Sequence, residues 1–202
     1  MLKAIAQGSA TRDRLLEAAF ETLRHEGFAR TSARTIARTG DFNQALIFYH
    51  FGSVNDLLLA ALDRVSGTRM ERYREALGRA SGLIELSSVA RELYLEDIDC
   101  GHSTVLAELF AASSGNAALR EQMLKRMQPW LEFTEALIRR LLQDSPFGSM
   151  IDARAAAGAV LAMYVGVDLL LHLDGDRSRA TAMFDASDRL TAAIGPLSEG
   201  GQ

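Results

Sequence analysis

The feature that most constrains the fold is a short apolar stretch, residues 43–51, that lies between two glycine-containing breaks. Gly40 precedes the stretch and Gly52 follows it, and glycine favours turns because it adopts left-handed backbone conformations at low cost. The stretch carries several aromatic side chains, including Phe48 and Phe51. So few residues cannot bury these rings by themselves. We therefore expect a short helix that packs against helices formed elsewhere in the chain.

A first helix is predicted upstream, from about Ser9 or Thr11 to the residue before Gly27. Its apolar residues recur three and four positions apart, which places them on one face of a helix. These residues are Leu15, Leu16, Ala19, Phe20 and Leu23. Ser9 or Thr11 can cap the free amides at its start. Gly27 favours its end, because the position just past a helix often has a positive φ.

Two short helices are predicted after the first. One starts from a cap at Thr31 or Ser32, and the next starts from a cap at Asn43. Between them, Gly40 or Asp41 can form a tight turn. The order of helix, loop, short helix, tight turn and short helix is typical of DNA-binding helix-turn-helix domains. The same spacing also fits a generic three-helix bundle.

The remainder of the chain is predicted to be helical as well. Only three prolines occur among the 202 residues, and Ala, Leu, Glu and Arg are abundant, which favours helix. Breaks separate predicted helices over about residues 54–80, 83–97, 103–112, 116–143, 152–173 and 177–194. Pro129 lies inside one of them and should kink it. We expect an all-α protein with an N-terminal three-helix helix-turn-helix domain, residues 1–53, and a C-terminal helical domain, residues 54–202.

The distribution of charge permits DNA binding without requiring it. The net charge is −4, but residues 1–53 carry seven Lys and Arg against five Asp and Glu, a balance of +2. Residues 54–202 carry fifteen and twenty-one, a balance of −6. Salt screens exposed charges beyond about 8 Å, so the sign of one surface matters more for phosphate attraction than the total charge.

Other features of the sequence indicate a cytoplasmic protein. The single cysteine, Cys100, cannot form an internal disulfide, which fits a reducing compartment. Residues 1–10 lack the apolar run of a signal peptide. The longest apolar stretch, residues 155–173, contains Asp168 and His172, so a buried or interface helix explains it better than a membrane span.

The residues around the short apolar stretch resemble the signature of the tetracycline-repressor (TetR) family. The similarity rests on Ile36, Ala37, Gly40, Asp41, Phe42 and Asn43, on the run from Ile47 to Ser53, and on Asp56, Leu57 and Leu58. It extends over about residues 15–62, whereas the rest of the chain resembles the family only in the number and order of its helices. The resemblance implies a homodimeric repressor that a small apolar ligand releases from double-stranded operator DNA. A helical ligand-binding or protein-interaction protein that has lost specific DNA binding is the alternative.

The family pattern implies DNA-binding roles for residues of the second and third helices. They are Thr31, Ser32, Arg34, Asn43, Gln44, Ala45, Leu46, Tyr49 and His50. The resemblance places the third helix in the major groove, where Gln44 can pair with adenine and Ala45 and Leu46 can meet a thymine methyl. The start of the second helix would bind phosphates. Packing stays an alternative for Leu46 and His50, and a core position is the favoured interpretation for Phe48.

Three residues depart from the family pattern. Asp41 stands where glycine is usual in the turn, so the turn is expected to be reshaped slightly. Leu46 stands where a small or hydroxylated residue is common. Val54 replaces the lysine that often touches phosphate, and losing that contact should weaken binding and lower its salt dependence by about one unit of slope.

The resemblance also implies that the C-terminal helical domain, residues 54–202, is a regulatory domain for ligand binding and dimerisation. In the family the last two helices of each subunit form a four-helix dimer interface, which here are the helices from Ala153 to Leu173 and from Arg177 to Ile194. The first is rich in small residues, which allow close helix approach. The family's ligand pocket lies among the middle helices, and candidate lining residues are Tyr73, Leu106, Phe110, Met123, Met127, Trp130, Phe133 and Tyr164. Each of these also fits an ordinary core.

Two groups of polar residues could suggest other chemistry. One consists of Glu96, Asp97, Asp99, Cys100 and His102. These types bind metals, but successive helical residues point in different directions, so a solvated acidic helix end is preferred. Asp168 and His172 could share a proton, but without a third partner a satisfied buried pair near the dimer interface is preferred over catalysis. We therefore expect no catalytic residue, no metal and no cofactor.

Overall fold

The computed structural model of the protein describes residues 2–80, 82–143, 148–179, 181–186 and 188–189. Within these residues the chain is helical and contains no strand, which confirms the predicted all-α class. The α-helices are α1 (Leu2–Glu26), α2 (Ala33–Gly40), α3 (Ala45–Phe51), α4 (Val54–Arg79), α5 (Leu83–Asp99), α6 (His102–Ser113), α7 (Ala117–Leu142) and α8 (Ala153–Asp174), and a 3₁₀ helix (Phe28–Arg30) follows α1.

Helix α1 begins at Leu2, so the predicted start at Ser9 or Thr11 is wrong. Residues 2–8 contain no proline, and a helix that is packed downstream can extend through such a segment. Both Ser9 and Thr11 therefore lie inside α1. The end of the helix agrees with the prediction, because Gly27 follows it with a φ of 75°.

Several helices start at side chains that bond to nearby backbone amides. Ser53 Oγ accepts from the Asp56 amide at 3.0 Å at the start of α4. Asn116 Oδ1 accepts from the Leu119 amide at 3.0 Å at the start of α7. Asp152 Oδ1 accepts from two amides at the start of α8. These bonds satisfy amides that have no partner within their own helix.

Some predicted segments lie outside the described residues. In the predicted last helix, residues 178–179, 181–186 and 188–189 are helical, and Arg177 lies in a turn. The rest of that helix, the tail beyond it and residues 145–147 of the predicted loop lie outside the described part. Helix α7 continues through Pro129.

The chain divides into two compact units. Unit 1 holds the residues up to Thr68 together with Thr104–Leu124, and unit 2 holds Arg69–Ser103 together with the residues from Lys125 onward. Helices α4, α6 and α7 each continue from one unit into the other. The functional division predicted after residue 53 is a different boundary and stays a prediction.

The core of unit 1 is built from apolar helix faces, including the face predicted for α1. Fully buried side chains come from α1, α2, α3, α4 and α6, and they are Leu15, Leu23, Ile36, Ile47, Leu57, Leu58 and Leu109. Burying a leucine or isoleucine side chain contributes about 1.5–3 kcal/mol to folding. This packing holds α2 against α1.

The turn between α2 and α3 depends on two neighbouring residues for different reasons. Asp41 adopts the left-handed conformation, with a φ of 50° and a ψ of 60°. Gly40 is required for space, because a Cβ there would lie 2.2 Å from the Phe42 ring and 2.8 Å from the Ala18 Cβ. Arg14 secures the turn by donating to the Gly40 carbonyl at 3.1 Å and to the Asp41 carbonyl at 3.3 Å.

Helix α8 has a buried side and an exposed side. Ala153, Ala157 and Asp168 are buried, whereas Leu170 and Leu173 are exposed. By length and composition α8 could also cross a membrane, since its most apolar 18-residue window has a mean hydropathy of 1.8. The apolar core helix of a soluble protein meets the same criterion.

Candidate nucleic-acid interface

Helix α2 begins with a capping box that organises the predicted phosphate-binding residues. The Thr35 amide donates to Ser32 Oγ at 3.2 Å, and the Ser32 amide donates to Thr35 Oγ1 at 2.8 Å. The Thr31 hydroxyl donates to the Gly27 carbonyl at 2.7 Å. Arg34 is exposed in the first turn. The start of α2 is therefore an exposed helix end that hydrogen bonds hold in place, and such an end can bind an anion.

Helix α3 presents a buried side and an exposed side. Ile47 is fully buried and anchors the helix in the core of unit 1. Gln44 and Ala45 are exposed, and Tyr49 is 83% exposed. Asn43 Oδ1 accepts from the Ala45 amide at 2.9 Å and so fastens the helix start. The exposed side is thus held by contacts at the helix start and on the opposite side.

Phe48 belongs to the exposed side, so its favoured assignment to the core is wrong. Its side chain is 52% exposed. Phe48 lies four residues after Gln44, and Tyr49 lies four residues after Ala45, so these four side chains share one face.

The other residues of α3 are half-buried. Leu46 and His50 lie between the two sides and remain compatible with either predicted role. Phe51 is covered by Arg12 of α1, whose guanidinium carbon lies 4.3 Å from the ring centroid. Arg12 is itself exposed, so it brings a positive charge to the end of α3, where Val54 carries none. Sequence reasoning missed Arg12 because this contact joins two different helices.

The candidate ligand-lining residues fall in both units. Leu106, Phe110 and Met123 belong to unit 1. Those in unit 2 are Tyr73, Met127, Trp130, Phe133 and Tyr164. The rings of Tyr73 and Trp130 meet edge to face with their centroids 5.4 Å apart, and the centroid of Phe133 lies 6.5 Å from that of Trp130. Unit 2 therefore brings these three aromatic candidates together.

A buried ion pair adjoins this aromatic group. Arg69 of α4 donates to the carboxylate of Asp97 of α5 and, at 2.6 Å, to the hydroxyl oxygen of Tyr164. The Tyr73 hydroxyl donates to Asp97 at 2.7 Å, and His102 Nδ1 lies 3.1 Å from the other carboxylate oxygen. Burial alone would raise the pKa of Asp97, but the hydrogen bond to His102 and the charge of Arg69 hold it below its usual value.

The predicted solvated acidic helix end is therefore wrong for Asp97. Glu96 and Asp99 are exposed, but Asp97 is 2% exposed. Its partner Arg69 lies on another helix, so the residues near Asp97 in the sequence do not reveal the pair. Within the described part of the chain, no group of three or more His, Cys, Asp or Glu could hold a metal ion.

Asp168 of α8 is a second buried carboxylate. Its Oδ1 atom accepts from the Tyr94 hydroxyl at 2.6 Å. His172 is exposed, so the predicted buried pair of Asp168 and His172 is wrong. Burial raises the pKa of Asp168 to about 6, against the opposing effect of the Tyr94 hydrogen bond. Asp168 Oδ2 and Arg69 Nε are buried and have no hydrogen-bond partner among the described residues.

Comparison with protein families matches residues 15–61 to the model for bacterial regulatory proteins of the tetR family. This segment contains α2, α3 and the C-terminal part of α1, and it ends within α4. A comparison with curated protein sequences finds no match.

Solved structures share the fold over nearly the whole chain. The fatty acid degradation regulator FadR from Bacillus halodurans has a TM-score of 0.76 at 17% identity, covering 89% of this chain and 93% of that chain. FadR from Bacillus subtilis in complex with stearoyl-CoA has 0.75 at 17%, covering 88% and 95%. A transcriptional regulator from Saccharomonospora viridis in complex with choline has 0.71 at 23%, covering 91% and 96%. At these identities the similarity supports a common fold.

Proposed function

We propose that the chain is a transcriptional regulator of the TetR family, as its sequence motif predicts, and that it is a repressor that a small apolar molecule releases from its operator. The exposed side of α3 carries this proposal. Gln44, Ala45, Phe48 and Tyr49 form a continuous exposed face, while Ile47 anchors the helix from behind. A helix of this kind can enter the major groove of DNA.

The residues on this face can read base edges. The Gln44 amide can form two hydrogen bonds with adenine, and Ala45 and Phe48 can contact a thymine methyl. One good bidentate contact supplies about 1–3 kcal/mol of discrimination against the wrong base. A single reading helix therefore gives too little specificity for an operator, and two copies reading two half-sites are required.

Phosphate binding is assigned to the start of α2 and to Arg12. Arg34 and Ser32 are exposed at that helix start. Arg12 lies over Phe51 at the end of α3, and its charge takes the place of the lysine that the family often has at Val54. Each phosphate neutralised by such a contact contributes about 0.9 to the slope of log affinity against log salt.

We assign the homodimer interface to α8 and to the helix predicted from 177 to 194. The second copy of the chain would then supply a second recognition helix, its own α3. The exposed side of α8 includes Ala155, Ala159, Ala162, Met163, Leu170 and Leu173. A Cβ added at Gly158 or Gly166 would meet no atom within 4 Å, so a helix of a second copy can approach closely there.

Analytical ultracentrifugation tests this interface. Leu170→Lys should shift the protein towards monomer, because it places a charge in an apolar interface. Leu124→Lys is the matched control, since Leu124 is also an exposed leucine but lies on α7. Equal dimerisation of the two variants would contradict the assignment of the interface to α8.

The proposed ligand region is the aromatic group of unit 2. Tyr73, Trp130 and Phe133 supply apolar surface, and the adjoining Arg69 and Asp97 supply buried polar groups that can orient a ligand. Two proteins of the same fold were solved in complex with stearoyl-CoA and with choline, which supports a small-molecule effector. Since operator DNA is the proposed partner, the cytoplasm is the proposed compartment.

Selection of bound sequences from random duplex DNA by the full chain tests the function. An enriched site with two symmetric half-sites is expected, and candidate apolar ligands should reduce its binding. Gln44→Ala and Tyr49→Ala should abolish the enrichment, whereas Gln128→Ala, which changes an exposed glutamine of α7, should not. Absence of duplex binding at low salt would refute the proposal. It would favour a ligand-binding or protein-interaction protein that has lost specific DNA binding, as the valine at position 54 would allow.

A further inference from the structure

Glu108 of α6 reaches the loop that leads into α2, and both lie in unit 1. Its Oε2 atom accepts from the Phe28 amide at 2.6 Å. A Cβ added at Gly27 would lie 3.1 Å from Oε1 and 3.2 Å from Oε2 of this carboxylate. Gly27 also has a φ of 75°, which strains residues that carry a side chain. Glycine at this position therefore serves both the backbone turn and the close approach of the carboxylate.

The peptide group between Gly27 and Phe28 is held from both sides. Its amide donates to Glu108, and its carbonyl accepts from the Thr31 hydroxyl at 2.7 Å. The Thr31 amide donates to the Phe28 carbonyl at 3.1 Å and closes the 3₁₀ turn. Ser32, the next residue, caps α2. The orientation of this one peptide thus determines where the Thr31 hydroxyl and the first turn of α2 lie.

We propose that Glu108 is a positioning residue for DNA binding, which holds the phosphate-binding start of α2 in place through the Gly27–Phe28 peptide. The inference rests on the DNA-binding function proposed above. A hydrogen bond from an amide to a carboxylate is roughly twice as strong as one between neutral groups, so Glu108 is well suited to fix this peptide.

Because Glu108 is negatively charged, the direction in which its removal changes DNA affinity tests the proposal. A carboxylate repels DNA phosphates, so its removal would strengthen binding if charge alone mattered. If Glu108 instead positions Thr31 and Ser32, its removal weakens binding although the protein becomes less negative. The two explanations therefore predict opposite signs.

Variants of the full chain distinguish the positioning role of Glu108 from the effect of its negative charge on DNA binding. Glu108→Ala removes the hydrogen bond and the charge, and Glu108→Asp keeps the charge but withdraws it by one methylene. Glu108→Gln keeps an acceptor oxygen and loses the charge. Glu92→Ala, which removes one exposed charge from α5, is the control. Affinity for duplex DNA at several salt concentrations and the hydrogen exchange of the Phe28 amide by NMR are measured for each.

We expect Glu108→Ala and Glu108→Asp to bind DNA about tenfold more weakly and to exchange the Phe28 amide faster. Glu108→Gln should stay within about twofold of the parent, and Glu92→Ala should bind as tightly or more tightly. If Glu108→Ala does not fold, Glu108→Asp carries the same test.

Binding at the parental level by Glu108→Ala and Glu108→Asp, or unchanged exchange of the Phe28 amide, overturns the positioning role alone. A parent that binds no duplex at low salt overturns the proposed function and this inference with it.

Discussion

Asp168 should make the stability of the protein fall as the pH rises through the mildly acidic range. Burial raises its pKa from 3.8 to about 6. Between these values the folded protein holds a proton that the unfolded chain has released. Because the unfolded state then binds fewer protons, the free energy of unfolding decreases with increasing pH. The stabilisation is fully present below the ordinary pKa of aspartate and is lost as the pH passes the raised one.

The size of the effect follows from the two pKa values. The difference between 3.8 and about 6, at about 1.36 kcal/mol per pKa unit, corresponds to about 3 kcal/mol. Asp168→Asn removes the titration and keeps an oxygen that can accept from the Tyr94 hydroxyl. Its free energy of unfolding should therefore rise relative to the parent by about 2.4 kcal/mol between pH 4 and pH 7, since part of the difference develops below pH 4.

Urea unfolding at each pH measures this difference, with the protein concentration held constant because dimerisation would shift the apparent stability. Glu92→Gln, which changes an exposed carboxyl group of α5, is the matched control. If the difference between Asp168→Asn and the parent is independent of pH, or narrows as the pH rises, Asp168 does not titrate as its burial requires.

Two further predictions concern the buried ion pair and the DNA-binding surface. Asp97→Asn leaves the buried Arg69 without a charged partner, so the free energy of unfolding in urea should drop by about 3–5 kcal/mol, whereas the exposed Glu96→Gln should change it by about 1 kcal/mol or less. A similar loss in both variants would contradict the special role of the buried pair. Arg12→Ala should lower the slope of log DNA affinity against log salt by about one, and Val54→Lys in the same chain should restore it. An unchanged slope would show that Arg12 contacts no phosphate.

Helix starts could be predicted wherever the capping side chain bonds to a backbone amide that is close to it in the sequence. Ser32, Ser53, Asn116 and Asp152 each accept from a backbone amide no more than three residues away. The whole interaction is therefore contained in a few consecutive residues. The start of α1 was missed because Ser9 can serve either as a cap or as an interior residue, and only the residues upstream decide between them.

The exposed side of α3 was predicted in part. Gln44, Ala45 and Tyr49 were assigned to the exposed side of α3, where the structure has them. For Phe48 a core position is the interpretation that the sequence favours, and it is wrong. In a helix of only seven residues the pattern is too short to define a face by itself, and the packing of Ile47 turns Phe48 outward. Whether these residues bind DNA remains a prediction.

The sequence by itself determined the order of the helices, most of their boundaries and the family motif, because these depend on residues that are close together in the chain. Only the tertiary structure decided which carboxylates are buried and which groups donate hydrogen bonds to them. Asp97 meets Arg69 across 28 residues, and Glu108 meets the Phe28 amide across 80. Contacts over such separations depend on how whole helices pack, so no short pattern around either carboxylate can reveal them.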